Sequence, residues 1–515
     1  MYLTQSLHRL VQQTPDAPLT VFGDRTRSAA ESAERIARLA GGLRELGVGE
    51  GDRVAILSLN SDRYHEYLLA VPWADAVVNP INVKWSPYEI GYALADSETR
   101  VLLVDDTFTP MVPALRSLCP DLDTLVFCGD GESPEGAVGY EELVANNAPI
   151  LDARRSGNAV LGVFYTGGTT GASKGVMLSH DNLMTSAFGS LAGSNLLTSH
   201  GRLLHSAPMF HLADITAWTM GLVVGSTHVI LPMFTPTGVL DAISRLGITD
   251  AVLVPTMIQM IVDHPDVARH DLSGLRHLFY GASPISGAVL ERAVKAFPRA
   301  TFAQAYGMTE LAPIATILSS EDHEDPALRR SAGRAAAHAE VRIVDADDIE
   351  VPRGTVGEIV VAGDHVMLGY WGRPEESAQA VRGGWMHTGD AGYMDERGYV
   401  FLVDRLKDMI ITGGENVYST EVENALAGHG AVAACAVVAV PDDRWGERVH
   451  AVVVLLPGRT VTGDELQEHC RGLIAGYKIP RSVSFVDTLP VSGAGKVLKR
   501  ELREQYWPAE GRRVQ

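Results

Sequence analysis

Cysteine is scarce in this sequence: four residues in 515, at positions 119, 128, 435 and 470. No two of them have the spacing of redox or zinc motifs, so we expect neither a disulfide framework nor a structural zinc site. Scattered cysteines of this kind are typical of a reducing compartment. We therefore expect a cytoplasmic protein.

Positive charge is also in deficit. Lysine and arginine total 43 residues against 63 aspartates and glutamates, which gives a formal net charge of -20 at pH 7. Such a chain has no overall positive field to attract a polyanion, so nucleic acid is not expected as a partner. Any site for phosphate must be built locally.

Long apolar runs are missing too. The longest, at residues 431–440 and 452–457, are shorter than the roughly 20 residues that span a bilayer. We expect them to be buried strands, and we expect no transmembrane segment. The N-terminus also lacks the basic region and long apolar run of a secretion signal.

What the sequence contains is typical of a folded globular protein. Hydrophobic residues make up 46% and charged residues 21%, which excludes disordered and fibrous classes. A chain of 515 residues exceeds the size at which one core stops growing, so two or more domains are expected.

Apolar strands and amphipathic helices alternate along the first part of the chain. Ile36, Leu39, Leu43 and Leu46 recur at helical spacing before Gly47 and predict one helix. The other segments are read from the same two patterns: strands at 54–59, 101–104, 160–165, 228–234, 250–256, 275–283 and 301–307, and helices at 64–69, 236–246 and 287–297. This alternation predicts an α/β class with mainly parallel, helix-covered sheets.

The pattern of predicted secondary structure changes after about residue 335. Short strands with Gly and Pro turns predict a small barrel or mixed sheet there. From residue 404 onward, a helix near 420–427, two valine-rich runs and a final helix predict a compact α+β unit. We therefore predict a large N-terminal domain at 1–403 and a small C-terminal domain at 404–515.

A glycine-rich segment, YTGGTTGASKGVMLSH, occupies residues 165–180. A strand before it and a helix from about Val176 would place its backbone amides and hydroxyls at a helix start, where an anion binds. Lys174 would add a positive charge. The Walker and GxGxxG patterns both fail on spacing, and a flexible surface turn is the alternative interpretation.

Three further segments carry polar groups suited to a nucleotide. In YGMTE (306–310), Tyr306 could stack on a base, and Thr309 and Glu310 offer oxygens suited to Mg²⁺. In the segment 384–416, Asp390 could accept the hydroxyls of a ribose. GAGKVLKREL (493–502) exposes Lys496 before a basic helix. Taken singly, each has an ordinary alternative: a strand end, a charged hairpin and a solvated helix start.

In this order and at these separations, the motifs resemble those of the adenylate-forming acyl-CoA synthetase superfamily, which also includes peptide-synthetase adenylation domains and insect luciferases. The resemblance covers nearly the whole chain and includes DRLKDMIITGGENVYSTEVE, similar to the hinge and pantetheine-channel segment of the family. Two positions of the glycine-rich segment depart from the usual Ser and Pro, namely Gly167 and Ser173. Both are small residues, so donation by the amides should survive.

The resemblance implies two reactions: ATP and a carboxylic acid give an acyl-AMP and pyrophosphate, and the thiol of coenzyme A then displaces AMP. It implies ATP, Mg²⁺ and coenzyme A as cosubstrates and cofactors, and a C-terminal domain that rotates between the two reactions. The residues that it implies for catalysis and metal binding are Lys496, Glu310, Thr170 and Lys174, with Glu310 and Thr170 on Mg²⁺.

The resemblance also assigns binding roles. For the nucleotide it implies Thr166, Gly167, Gly168, Thr169, Gly281, Ala282, Tyr306, Gly307, Thr309, Asp390 and Arg405. It implies Lys407 as the hinge and Gly413, Gly414 and Glu415 along the channel for coenzyme A. For the acyl pocket it implies His211, for which a satisfied core histidine is the alternative interpretation. The other candidate lining residues are Thr216, Trp218, Val254 and Pro255.

The acid itself is less well defined by sequence. A medium- or long-chain fatty acid is the first expectation, which would place the enzyme in fatty acid metabolism, and an aryl acid of the cinnamate or ferulate type is the alternative. The candidate pocket residues include no conspicuous cation to pair with a second carboxylate, which disfavours dicarboxylates.

Other classes of protein share some of these motifs. The further alternatives are a stand-alone adenylation enzyme, a luciferase, a peptide-synthetase unit and a non-enzymatic nucleotide-binding module. The peptide-synthetase unit would normally be followed by a carrier domain, and about twenty residues follow Lys496 here. The sequence does not define the oligomeric state, for which a homodimer is one alternative.

Overall fold

A computed structural model describes residues 1–166, 173–283, 285–412, 415–442, 444–491 and 497–506. The chain divides into two compact units, one made of Met1–Val341 with Val361–His387 and the other of Arg342–Val360 with Thr388–Gln515. The fold is α/β, with a large N-terminal and a small C-terminal domain, as the sequence predicted. The boundary between residues 403 and 404 remains a prediction.

The larger unit contains a nine-stranded sheet in which six consecutive strands run parallel. Its strands, in order across the sheet, are Arg334–Ala335, Thr316–Leu318, Thr301–Tyr306, His277–Gly281, Asp250–Leu253, Arg202–His205, Thr227–Ile230, Pro18–Phe22 and Arg25–Ser28. Parallel strands with few charges are expected to be covered on both faces. The run 250–256 is only partly a strand, because Pro255 opens a helix directly after it.

A second sheet of the same unit has eight strands. In order they are Gly369–Tyr370, Lys174–Ser179, Val160–Thr166, Val77–Pro80, Arg53–Leu57, Val101–Val104, Thr124–Phe127 and Val138–Gly139. The first two are antiparallel additions to an otherwise parallel sheet.

Helices cover these sheets. Their bounds are Gln5–Gln13, Ala29–Glu45, Asp62–Trp73, Pro87–Asp96, Val112–Leu118, Tyr140–Asn146, His180–Gly193, Leu212–Val224, Pro236–Leu246, Pro255–Val262, Gly287–Ala296 and Pro374–Ala380. Short 3-10 turns lie at Thr109–Met111, Val267–Arg269, Thr309–Leu311 and Asp322–Glu324. The helix predicted from the leucine and isoleucine stripe is confirmed: Ile36, Leu39 and Leu43 are buried, and a capping box between Ser28 and Glu31 starts it. Leu46 is only partly buried, because it caps the end of the helix.

Residues 340 to 405 form a five-stranded sheet where a small barrel or mixed sheet was expected. Its strands are Glu340–Val344, Gly357–Ala362, Val381–Arg382, Trp385–Met394 and Val400–Arg405. The last two form an antiparallel hairpin, in which Asp390 is paired with Arg405.

The C-terminal part is α+β, as predicted. Its sheet contains Ile410–Thr412, Glu415–Val417, Val432–Asp442, Gly446–Leu455 and Ser482–Phe485, and its helical segments are Leu406–Asp408, Ser419–Ala427, Gly463–Arg471, Gly476–Lys478 and Lys499–Tyr506. Val437 packs into one core cluster and Val438 into another, on the opposite face. Burial on both faces explains why this strand is an unbroken apolar run. None of the helices in the described ranges is long and apolar enough to cross a bilayer.

Candidate active site

The strands on either side of the glycine-rich segment pair with each other. Thr166 ends one strand and Lys174 begins the next, and the two residues face each other in an antiparallel pair. Gly167, Gly168, Thr169 and Thr170 lie outside the described residues. Thr166 and Lys174 therefore hold the two ends of the segment side by side.

The helix predicted from about Val176 is wrong. Lys174–Ser179 is a strand, held between Val160–Thr166 and Gly369–Tyr370, and the helix begins only at His180, after a capping box at Ser179. Pairing on both sides supplies backbone hydrogen bonds that outweigh local helix propensity. The segment consequently does not lead directly into a helix start, and the helix begins six residues beyond Lys174.

Lys174 has an anionic partner that sequence analysis missed. Its Nζ lies 2.5 Å from Oε2 of Glu376, on the helix Pro374–Ala380. The same ammonium lies 4.8 Å from the ring centroid of Tyr370, within the range of a cation–π contact.

Tyr370 also holds Glu310. Its hydroxyl donates to Oε1 of Glu310 at 2.9 Å, and Glu310 is only 6% exposed. Burial, followed by the negative charge of Glu310, raises the pKa of Tyr370 well above its usual value, so the phenol remains a donor at neutral pH. The backbone amide of Met367 donates to the Glu310 carbonyl at 2.9 Å and fixes the same turn. Tyr370 thus contacts both the predicted phosphate ligand and the predicted magnesium ligand.

The residues predicted to form the adenine wall lie at the ends of neighbouring parallel strands. Gly281 is in register with Ala305, and Tyr306 follows as the last residue of its strand. A Cβ on Gly281 would lie 2.5 Å from the carbonyl oxygen of Ala305. Ala282 adopts a positive φ of 67°, which is uncommon for a residue with a Cβ and is found often at functional sites.

Gly307 and Thr309 continue this edge toward Glu310. A Cβ on Gly307 would lie 1.9 Å from the carbonyl oxygen of Pro313, so the chain reverses with no space for a side chain. Thr309 begins the short 3-10 turn that carries Glu310. The structure therefore brings the YGMTE motif, Gly281 and Ala282 to the carboxyl edge of one sheet, where ligands of open α/β folds bind.

The predicted acyl-pocket residues lie on or just before two helices. His211 is the residue before helix Leu212–Val224, and Val254 is the residue before helix Pro255–Val262, whose first residue is Pro255. Thr216 is buried and donates to the carbonyl of Ala312 at 3.3 Å, two residues beyond Glu310.

Trp218 is fully buried, and its indole N–H donates to Nδ1 of His65 at 2.9 Å. His65 belongs to a polar cluster that sequence analysis missed. In the same cluster His205 links Asp214 and His228 through hydrogen bonds of 2.9 Å each. Burial lowers the pKa of His65 to about 3, so its imidazole is neutral at physiological pH.

In the smaller unit, Asp390 and Arg405 face each other across a hairpin. Nε of Arg405 lies 3.5 Å from Oδ1 of Asp390, and the carboxylate is 18% exposed. The backbone amide of Asp390 is held by the hydroxyl of Thr388 at 3.1 Å. This arrangement leaves a partly exposed carboxylate beside a cation, and its role toward a ribose stays a prediction.

Lys407 lies two residues after Arg405, on the surface of the same unit. Although it is exposed, neighbouring atoms remove water from its ammonium, and this lowers its pKa to about 8; the charge of Arg405 acts in the same direction. Arg503 donates to the carbonyl of Lys407 at 2.7 Å and pairs with Asp408 at 2.8 Å. The predicted hinge is therefore tied to the C-terminal helix.

Two of the three predicted channel residues, Gly413 and Gly414, and the predicted catalytic Lys496 lie outside the described residues. Glu415 is exposed at the start of the strand Glu415–Val417. No group of three His, Cys, Asp or Glu side chains in the described ranges could enclose a metal ion. The buried carboxylate of Glu310 instead suits a Mg²⁺ ion that is also held by the phosphates of a nucleotide.

The sequence matches the family described as AMP-binding enzyme over residues 7–371 and the AMP-binding enzyme C-terminal domain over residues 421–496. The chain therefore belongs to the AMP-binding enzymes and is an adenylate-forming protein. It is an AMP-forming acid–CoA ligase, and it uses ATP, Mg²⁺ and coenzyme A.

Individual relatives cover almost the whole chain. A feruloyl-CoA synthase from Amycolatopsis sp is 40% identical over 505 residues, 97% of this chain and 98% of the relative. A fatty acid–[acyl-carrier-protein] ligase, ScoC from Streptomyces coeruleorubidus, is 36% identical over 521 residues, 99% and 97% of the two chains. The crystal structure of ATP-bound MatB from Rhodopseudomonas palustris superposes with a TM-score of 0.89 at 30% identity, covering 98% of this chain and 99% of that one.

Proposed function

We propose that this ligase activates an aromatic acid of the cinnamate or ferulate type, the alternative that the sequence left open beside a fatty acid. The observation that carries the proposal is the 40% identity to a feruloyl-CoA synthase over 97% of the chain.

A medium- or long-chain fatty acid is the second candidate. Relatives named as fatty acid ligases include one from Thermus thermophilus, 36% identical over 93% of this chain. We also propose a cytoplasmic location, supported by four free cysteines, three of which are buried.

In the adenylation reaction the acid attacks the α-phosphorus of ATP, and pyrophosphate leaves. The protein must align two anions and neutralise charge, since phosphoryl chemistry relies on positioning and electrostatics. We assign Lys174 with Thr166, Gly167, Gly168, Thr169 and Thr170 to the β and γ phosphates. Glu310, with Thr170, is assigned to Mg²⁺, which supplies positive charge at the phosphates when bound.

The nucleoside is assigned to the carboxyl edge of the nine-stranded sheet. Tyr306 would stack on adenine, and Gly281, Ala282 and Gly307 would form a wall beside it. Gly281 and Gly307 leave no space for a larger residue, because a Cβ there would lie 2.5 Å from the carbonyl oxygen of Ala305 and 1.9 Å from that of Pro313. Asp390, with Arg405 beside it, would accept the ribose hydroxyls.

The remaining roles belong to the C-terminal part and are proposals from the family resemblance. Lys496 would stabilise the charge shared by the acid carboxylate and the α-phosphate, Lys407 would act as the hinge, and Gly413, Gly414 and Glu415 would line the path of the thiol. Lys496→Ala is expected to lower adenylation by at least roughly 100-fold, the scale for losing one charge-stabilising donor. Turnover of preformed acyl-AMP with coenzyme A should fall far less, and equal losses would contradict the role.

The acid is tested by pyrophosphate release with ferulate, cinnamate, octanoate, palmitate and malonate, each with and without coenzyme A. We expect kcat/KM for the aromatic acids to exceed that of the fatty acids by at least about tenfold, which corresponds to ~1.4 kcal/mol. A preference of the same size for octanoate or palmitate would overturn the aromatic proposal in favour of the second candidate. Absence of release with every acid, from folded protein, would contradict the assigned adenylation chemistry.

A further inference from the structure

Glu376 has no role in the chemistry described above, yet it holds the ammonium that is assigned to the phosphates. We propose that Glu376 is the resting-state partner of Lys174, a built-in anion that occupies the lysine until the β and γ phosphates of ATP displace it. The inference rests on the proposed phosphate-binding role of Lys174.

The geometry supports a pair that is formed but can be opened. The distance from Lys174 Nζ to Glu376 Oε2 is 2.5 Å, while the side chains are 27% and 36% exposed. Access to water keeps the cost of separating the charges small. Competing anions can therefore reach the ammonium.

Glu376 is held from its other side, which explains why it would stay behind. Its Oε1 lies 3.4 Å from NH1 of Arg373. That guanidinium is itself fixed, because its NH2 donates to the hydroxyl of Tyr92 at 2.7 Å and lies 3.6 Å from Asp96. When Lys174 leaves, the carboxylate keeps one cation and is not left uncompensated.

Tyr370 connects this pair to the magnesium carboxylate. Its ring supports the ammonium of Lys174 at 4.8 Å, and its hydroxyl donates to Glu310 at 2.9 Å. We expect the ring to stay beside the ammonium whichever anion Lys174 contacts, because the hydroxyl of Tyr370 is held by Glu310. Glu376 therefore competes with the phosphates for Lys174 and is not itself a ligand of ATP.

Competition predicts a modest and specific gain when the carboxylate is removed. A partly exposed ion pair of this kind lowers the affinity of the protein for the competing ligand by about two- to fivefold. Glu376→Gln should therefore tighten MgATP binding, measured by titration calorimetry without any acid, by about two- to fivefold. AMP lacks the β and γ phosphates, so its affinity should stay the same. In acid-dependent pyrophosphate release, KM for MgATP should fall with kcat unchanged.

Two controls separate this effect from general electrostatics. Glu375→Gln removes the same charge from the neighbouring, exposed position of the same helix, and it should leave the affinity for MgATP unchanged. In a Lys174→Met background, Glu376→Gln should have no further effect on ATP binding, because the ammonium for which the two anions compete is absent.

Three results would overturn the inference: weaker ATP binding in Glu376→Gln, an equal gain in Glu375→Gln, or a gain that persists in the Lys174→Met background. The first would mean that Glu376 orients Lys174 for ATP. These titrations need no acid substrate, so they decide the role of Glu376 even if no tested acid is adenylated. Failure of the wild-type protein to bind ATP would instead contradict the proposed function together with this inference.

Discussion

Gly307 offers a sharp test of the site, because it joins Tyr306 to the turn that carries Glu310. A Cβ at this position would lie 1.9 Å from the carbonyl oxygen of Pro313 and 2.9 Å from its carbonyl carbon. Both atoms are backbone, so no side-chain rotation relieves the clash. Gly307→Ala must therefore separate the two chain segments by about 1 Å, a displacement on the scale that costs ~100-fold when it reaches reacting groups.

We expect two effects of Gly307→Ala. Overpacking of this kind destabilises a folded protein by about 1–3 kcal/mol, which lowers the melting temperature. The displacement of Tyr306 and Glu310 should lower the rate of acid-dependent exchange between ATP and pyrophosphate by about 100-fold at a temperature where the variant is still folded. Exchange isolates the adenylation reaction, since it needs no coenzyme A.

Gly287→Ala is the matched control. Gly287 begins the helix Gly287–Ala296 in the same unit, and nothing lies within 4 Å of a Cβ added there. Exchange should be unchanged, and the melting temperature should stay the same or rise slightly, because alanine favours a helix. Wild-type exchange and melting in Gly307→Ala would refute the reasoning, since the clash would then not displace the motif.

Three other perturbations have defined outcomes. Tyr370→Phe keeps the ring under Lys174 but removes the bond to Glu310, so exchange should fall about tenfold, with the loss concentrated at low Mg²⁺; a Mg²⁺-independent loss would contradict this. Asp390→Asn should raise KM for ATP about tenfold or more with a smaller change in kcat, and an unchanged KM would remove the ribose assignment. Burial lowers the pKa of His365 to about 3, below the ~6.5 of an unfolded chain. The unfolded state therefore binds more protons between pH 6.5 and 3, and the free energy of unfolding should fall by about 1.4 kcal/mol per pH unit from this group as pH drops through that window. A flat melting temperature from pH 6.5 to 4 would be inconsistent with a neutral buried imidazole.

Local patterns were enough for much of the fold. The helix Pro236–Leu246 and the strand Val101–Val104 have the predicted bounds, because periodicity and chain breakers act over a few residues. The valine-rich strands were also predicted correctly, since burial on both faces leaves a continuous apolar run. The boundary between residues 403 and 404 and the roles of Gly167, Gly168, Thr169 and Thr170, by contrast, stay predictions.

The segment after the glycines shows where local patterns fail. A helix was predicted from about Val176, but the strand Lys174–Ser179 forms because two partners, distant in sequence, lie on either side of it. Only the folded chain supplies the second partner, Gly369–Tyr370. Secondary-structure propensity is a local property and does not include such pairings, and here their backbone hydrogen bonds outweigh it.

The sequence by itself determined the class of enzyme, because the order of the glycine-rich segment, YGMTE, the ribose segment and the C-terminal lysine is typical of adenylate-forming enzymes. What the tertiary structure decided is how these pieces act on one another. Tyr370 reaches Glu310 across 60 residues, and Glu376 reaches Lys174 from a helix far along the chain. Neither contact leaves a periodic signal, because hydrogen bonds and ion pairs depend on distances that exist only after the sheets have assembled.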